Sequence, residues 1–245
     1  THFRAEGPVV AQMQAVFLDN WIKATGAVLH GDDYFPALPA VGKDAAQMFS
    51  SSPSGGSESM HLMYLMAIAA AERTIDLEAA YFVPDPLMIQ ALQAARHRGV
   101  RVRVLSDHVA SLRNANHRGT LKALKKMGAE YEAMLPLRPL KGQWQRPDLR
   151  NHRKLITIDH AIGWMGSINL VQSSYGIKKN IKRGLHWHDL MVRLEGPVVR
   201  ELDVIFASDW FSETNELIDL DTSPVVLPDD ESPDAPRDDM QVVPS

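Results

Sequence analysis

The sequence predicts an α/β layer fold with a mainly parallel central sheet flanked by helices. Three observations carry this expectation. Short β-branched runs alternate with helical stretches between residues 57 and 135, the pattern of strands linked by crossover helices. Glycine and proline fall at the ends of those stretches rather than inside them. The composition, 45% hydrophobic and 23% charged over 245 residues, supplies enough apolar mass for one large domain.

The elements follow in order. Arg4-Ala-Glu-Gly-Pro-Val-Val10 recurs as Arg193-Leu-Glu-Gly-Pro-Val-Val199, and Phe17, Trp21 and Thr25 recur as Phe206, Trp210 and Thr214. A match this long at a constant offset points to duplication. Residues 1–27 therefore read as the tail of a preceding repeat. In the second copy, Pro197 suits a first helical turn, and Val198, Val199, Leu202, Ile205, Phe206 and Trp210 form one apolar face that packs as core. Residues 28–56, rich in Gly, Pro and Ser, read as a linker.

One domain is expected from 57 to 218. Ser57 to Arg73 reads as a helix capped by Ser57 or Ser59, with Met60, Leu62, Met63, Leu65 and Met66 as packing residues. Thr74–Phe82 reads as a strand, and Pro86–His97 as a helix stopped by Gly99. Val100–Asp107 is a second strand, Asn116–Met127 a helix ended by Gly128, and Ala129–Leu135 a third strand. Leu135 to Arg150 is a long basic loop of the kind that covers binding sites. Trp144 lies in it, and Trp164, on a later strand, reads as buried. Residues 219–245 read as an acidic, Pro-rich tail.

Charge and cysteine content bound the partners. The net charge of −4 argues against a general nucleic-acid binder. From Arg96 to Lys154, however, fifteen Lys or Arg face four acids, which suits an anionic phosphate ligand. Few aromatics interleave with that run, so nucleic acid is not the expected partner. Lys178, Lys179, Lys182 and Arg183 read either as a solvated face or as a contact for anionic lipid headgroups. The absence of cysteine excludes disulfides and a Cys-based zinc site. No apolar stretch reaches the length of a transmembrane helix. The chain starts at Thr1 and reads as a piece.

The chemistry concentrates in NHRKLITID. His152 and Lys154, two apart in an extended run, leave the same face. An imidazole beside a fixed ammonium suits a phosphodiester: the cation neutralises phosphoryl oxygens, and the ring attacks phosphorus or carries a proton. Asp159 ends the strand, and a hairpin at His160-Ala161 returns as IGWMGSINL, with Ser167 and Asn169 as ligands for phosphate oxygens beside Lys154. Asp189, at the start of a later strand, is the candidate partner for the imidazole. The odd spacing of Asp159 from His152 favours a structural role. His186 and His188 lie just before Asp189, but i, i+2 spacing alone makes a weak metal site.

His152-x-Lys154-x4-Asp159 followed by Gly166-Ser167-Ile168-Asn169 resembles the HKD motif of the phospholipase D superfamily. The wider run, with YFVPD at 81–85, RGLHWHDLMVRLEGPVV and the N-terminal RAEGPVV…FLDNW, resembles bacterial cardiolipin synthases. The resemblance implies a phospholipase D-like layer fold and an enzyme of phosphatidyltransferase or phosphodiesterase type, with no cofactor and no metal. Its catalytic set would be His152, Lys154, Asp159 and Asp189. His152 would form a phosphohistidine or protonate the leaving alcohol, Lys154, Ser167 and Asn169 would hold the phosphate, and Asp189 would orient the imidazole. The substrate would be an anionic phospholipid such as phosphatidylglycerol, handled at the cytoplasmic side of the cell membrane.

The pattern departs from the family in two ways. The family's site joins two motifs across a pseudo-twofold, and this sequence holds one. The order of segments also reads as recombined, with a join near residues 105–110. Two routes to a complete site stay open: a homodimer pairing two His152 motifs, or a second half outside this chain. A homodimeric single-motif phosphodiesterase or nuclease and an inactive half-domain are the alternatives to a transferase.

Overall fold

The computed structural model describes residues 2–51, 57–107, 117–134, 151–171, 189–220 and 238–243. Within them the chain forms β1 (His2–Glu6), α1 (Val9–Thr25), β2 (Ala45–Ser51), α2 (Ser57–Ala70), β3 (Thr74–Ala79), β4 (Phe82–Val83) and α3 (Pro86–His97). It continues with β5 (Arg101–Asp107), α4 (His117–Met127), β6 (Glu130–Met134), β7 (Lys154–Ile158) and β8 (Ile162–Gly166). β9 (Leu170–Val171), β10 (Asp189–Glu195), α5 (Val198–Thr214) and β11 (Asp239–Val243) follow.

Local sequence explains the ends of these elements. Asp85 accepts the Met88 amide at 2.8 Å and Pro86 occupies the first turn, so α3 starts where a cap and a proline coincide. At the far end of β7, Asp159 and His160 take φ of 55° and 59°, and the Ala161 amide donates to the Ile158 carbonyl at 3.0 Å. Two consecutive left-handed residues make a type I′ turn, whose twist matches an antiparallel hairpin.

That hairpin decides the sheet. Seven strands pair in the order β2-β10-β8-β7-β3-β5-β6. β3, β5 and β6 run parallel, with α3 and α4 as crossovers. All other neighbours are antiparallel, so the sheet is mixed where a mainly parallel one was expected. The segments on either side of residues 105–110 share this one sheet, since β3 pairs with both β5 and β7. The stretch expected as a linker contains β2, which closes the sheet edge against β10. β11 emerges from the acidic tail and pairs with β1 in a separate two-stranded sheet.

Both faces of the large sheet are covered. On one, Met60, Tyr64 and Ile68 of α2 and Met88 and Leu92 of α3 pack on Leu77, Ile156, Ile158 and Trp164. On the other, Leu202, Phe206 and Trp210 of α5 pack on Leu155, Met165, Val192 and Leu194. Neighbours along a strand serve opposite faces, as Leu155 and Ile156 do. Trp164 is buried as expected and its indole N–H donates to Met63 Sδ at 3.2 Å. Met60 and Met63 pack inward, whereas Leu62 and Met66 face solvent.

Part of the basic run is consumed inside the fold. Arg103 makes a buried two-pronged bond to Asp76 at 2.6 and 2.7 Å, and Arg101 bonds Glu130 and Glu216. Arg96 and Arg98 donate to backbone carbonyls. Arg118, Lys122, Lys125 and Lys126 of α4 face solvent. The basic loop with Trp144, the cluster from Lys178 to Arg183, and His186 and His188 lie outside the described residues. No helix among the described residues is long and apolar enough to cross a membrane.

Candidate active site

The segment entering β7 alternates, and that alternation builds the site. His152 and Lys154 turn to one face and Asn151 and Arg153 to the other. Lys154, buried at the head of the strand, donates from Nζ to the His152 carbonyl at 2.8 Å. The same nitrogen lies 2.9 Å from His152 Nδ1 and 3.1 Å from Nε2. Tyr81 meets the imidazole edge-on with centroids 6.3 Å apart. The residue is open to solvent, with its ring partly sheltered by Lys154 and Tyr81.

Electrostatics favour a neutral ring. Burial pushes the His152 imidazole below its usual value, the Lys154 charge adds to this, and Asp107 opposes it. A neutral imidazole keeps a lone pair free for attack. Burial also brings Lys154 down to about 8, against the field of Asp189, so it stays cationic at neutral pH.

The opposite face holds a clamp that the sequence did not reveal. Asn151 Nδ2 donates to Glu78 Oε1 at 2.6 Å and to Asp209 Oδ2 at 3.1 Å, while its Oδ1 accepts the Arg153 amide at 2.9 Å. The Arg153 guanidinium bonds Asp209 and lies 3.6 Å from Glu78. The Arg153 carbonyl accepts the Ala80 amide at 3.2 Å. Both neighbours of His152 are thus fixed from behind. Burial, then the adjacent Asp209, pushes the Glu78 carboxyl up to about 8. The one signal in the sequence was an acid within the apolar strand TIDLEAAYF.

Ser167 and Asp189 come together at the ends of β8 and β10. Ser167 Oγ donates to Asp189 Oδ1 at 2.8 Å and accepts the Leu190 amide at 2.9 Å, while the Ser167 amide donates to the Leu190 carbonyl at 2.8 Å. Gly166 allows this crossing, because a Cβ there would fall 2.1 Å from the Leu190 carbonyl oxygen. Asp189 was expected to hold the His152 ring. Its carboxylate instead receives Ser167, and its field reaches Lys154. Asn169 sits past β8, not on it, and its buried Oδ1 has no hydrogen-bond partner among the described residues. A cleft of about 470 Å³ opens beside Ser167 and Asp189 and is walled by Asp19 and Asn20 of α1.

Asp159 stands apart from this cluster. It follows the opposite end of β7, and its carboxylate accepts the backbone amides of Glu72, Arg73 and Thr74 at 2.8, 2.7 and 2.8 Å. Arg73 also donates to its carbonyl at 2.8 Å. The third residue of the motif ties β7 to the start of β3.

Comparison with known proteins agrees with this architecture. Residues 64–210 match the family described as "Cardiolipin synthase, PLD-like domain". The chain is 36% identical over 149 residues to cardiolipin synthase A of Wigglesworthia glossinidia brevipalpis, covering 59% of this chain and 30% of that protein. It is 37% identical over 155 residues to cardiolipin synthase A of Edwardsiella ictaluri, covering 62% and 31% respectively. The chain thus spans about a third of the length of these relatives. Its fold is similar to that of a phospholipase D family member, Nuc, from Salmonella typhimurium, with a TM-score of 0.53 at 17% identity, covering 69% of this chain and 96% of that one. NucT from Helicobacter pylori is similar with a TM-score of 0.54 at 12% identity, covering 69% and 98%.

Proposed function

Because the chain belongs to the cardiolipin synthase family of phospholipase D-like domains, we propose that it is one catalytic half of a phosphatidyltransferase that acts on phosphatidylglycerol-like phospholipid at a membrane surface. The observation that carries this reading is the contact of Lys154 Nζ with His152, at 2.9 Å from Nδ1. A cation against a neutral imidazole binds the phosphoryl oxygens while leaving the ring nucleophilic.

The step balances as follows. A ring nitrogen of His152 bonds to phosphorus, and the ester bond to the leaving alcohol breaks. The alkoxide takes a proton from a general acid, which the second half supplies. An incoming alcohol then bonds to phosphorus as the bond to the His152 nitrogen breaks, its proton goes back to that same group, and the new diester leaves. Asn169 and Lys154 hold the non-bridging oxygens, and Ser167 keeps Asp189 turned toward Lys154. The Asn151–Arg153 clamp limits how far His152 can swing.

A phosphodiester with an acidic leaving group needs no proton from an acid, so it tests one half alone. With bis(p-nitrophenyl) phosphate, about one equivalent of nitrophenol per chain is expected in a burst, together with an acid-labile phosphoenzyme. His152→Ala should lose both. A burst that survives this substitution removes His152 as the nucleophile. Turnover of single-stranded DNA in preference to phosphatidylglycerol vesicles would replace the phospholipid with a nucleic acid.

A further inference from the structure

The three helices on one face of the sheet are free of acidic residues. From Ser59 to Ala70 of α2, and throughout α3 and α4, there is no Asp or Glu. Arg118, Lys122, Lys125 and Lys126 of α4 are all exposed. Of the described carboxylates next to these helices, Asp85 is buried at the α3 cap. Glu72 and Glu130 precede β3 and open β6, at the end of the sheet away from His152. α5, on the opposite face, carries Glu201, Asp203, Asp209 and Glu213 against Arg200 alone. A chain of net charge −4 thus keeps one helical face cationic.

The same face exposes aliphatic side chains where it meets the site. Leu62 and Met66 of α2 are 57% and 65% exposed, and Leu87 of α3 is 56% exposed. Leu62 and Met66 stand one helical turn apart and share a ridge. His61 Nε2 lies 2.7 Å from Asp85 Oδ2, which joins α2 to the start of α3 and brings Leu62 and Leu87 to one corner. That corner is at the site end of the sheet. α2 follows β2, whose Ser51 pairs with Asp189, and α3 follows β3, whose Ala79 pairs with Lys154. α4 packs beside β4, the short strand that follows Tyr81. Tyr81, itself exposed, meets the His152 ring edge-on.

The chemistry of this face selects its partner. Lysine is depleted at protein–protein interfaces, so a lysine-rich face with bare aliphatics fits a protein poorly. Single-stranded nucleic acid stacks on aromatic platforms, whereas Leu62, Met66 and Leu87 offer none. Aliphatic side chains beside a row of cations match a bilayer that carries negative charge.

We propose that the face made by α2, α3 and α4 docks the chain on an anionic bilayer. Leu62, Met66 and Leu87 enter among the acyl chains, and α4 lies along the headgroups. The corner that enters adjoins Tyr81, so a lipid phosphate at headgroup depth reaches His152 without leaving the bilayer. The charge and apolarity of the face stand on their own; the choice of lipid as occupant rests on the functional reading above.

The chain has no cysteine, so Leu62→Cys, Leu87→Cys and Val204→Cys each carry a single thiol for an environment-sensitive fluorophore. Val204, exposed on α5, reports the opposite face. With vesicles of equal phosphatidylglycerol and phosphatidylcholine, the probes in place of Leu62 and Leu87 should brighten and shift to the blue. Spin labels on the acyl chains should quench them, while the Val204 probe stays as in water. Phosphatidylcholine alone should give none of these changes, and about 0.5 M salt should weaken them, because screening removes the attraction of the headgroups. Lys122→Glu combined with Lys126→Glu should lower affinity for the mixed vesicles at least about tenfold. Its melting temperature should stay within about 2 °C of the parent's, as for other surface changes, and its nitrophenol burst should be unchanged.

An absence of vesicle binding overturns the proposal, as does full affinity in the double variant. So does an equal response from the Val204 probe, or silent Leu62 and Leu87 probes on a chain that sediments with the vesicles. Matching probe changes with single-stranded DNA in place of vesicles also overturn it, since the occupant is then a nucleic acid. His152→Ala should bind vesicles as the parent does. A lost burst with responsive probes therefore faults the catalytic reading alone, and an intact burst with silent probes faults the docking alone.

Discussion

Replacing Asp159 by alanine separates a structural third motif residue from a catalytic one. The carboxylate accepts three backbone amides, from Glu72, Arg73 and Thr74, at 2.7 to 2.8 Å. A hydrogen bond to a charged group contributes about 1.5–3 kcal/mol when sheltered, and partial exposure lowers this to about 1 kcal/mol each. The substitution should then cost about 3 kcal/mol, and in a chain of this size should lower the melting temperature by roughly 6–12 °C. Alanine also loses the tolerance of aspartate for the left-handed turn at φ 55°, which adds to the loss. Urea unfolding followed by tryptophan fluorescence measures the shift. Asp159→Asn keeps the shape but leaves one carbonyl oxygen for three donors, so it should fall between the parent and the alanine variant. The nitrophenol burst per folded chain should hold within about twofold in both, because the carboxylate lies beyond the far end of β7 from His152. An unchanged unfolding midpoint together with a lost burst would refute the structural assignment.

Two further outcomes follow from buried charges. Lys154 is held at about 8, so affinity for dimethyl phosphate, whose charge is constant over this range, should fall about tenfold per pH unit above 8. Titration calorimetry between pH 6 and 10 reads this, Lys154→Met should abolish the slope, and a flat parent profile would refute it. Glu78 carries a folded-state value of about 8 against an ordinary 4.5. Between these values the folded chain keeps a proton that the unfolded chain releases, so stability declines as pH rises through that window. Glu78→Gln has no such proton. It should remove a decline on the order of 4 kcal/mol, leaving the variant the more stable at pH 8.5 in urea unfolding, whereas identical pH slopes would mean that Glu78 is ionised in the fold.

Much of the fold was legible because its signals are local. The helix from Pro86 stopped at Gly99, the hairpin after β7, expected at His160-Ala161 and found one residue earlier, and the shared face of His152 and Lys154 each depend on a few consecutive residues. What escaped depends on pairing across the chain. β2 looked like a linker because Ala45–Ser51 is small and polar, and only β10, far along the sequence, makes it a strand. Strand direction was misjudged for a related reason. Crossover helices are visible in sequence, but the direction in which β7 meets β3 is not. The clamp of Asn151 and Arg153 by Glu78 and Asp209 was hidden because an acid in an apolar strand does not name its partners, and Asp209 lies far along the chain.

The duplication carries the same lesson one level higher. Phe17 and Trp21 of α1 stack as Phe206 and Trp210 of α5 do, in helices with matching ends, yet the first pair is exposed and the second buried. Local sequence therefore sets the helix, and the neighbouring sheet sets its burial. Phe206 and Trp210 are covered because β6, β7 and β8 lie against α5, a partnership that no stretch of local sequence encodes.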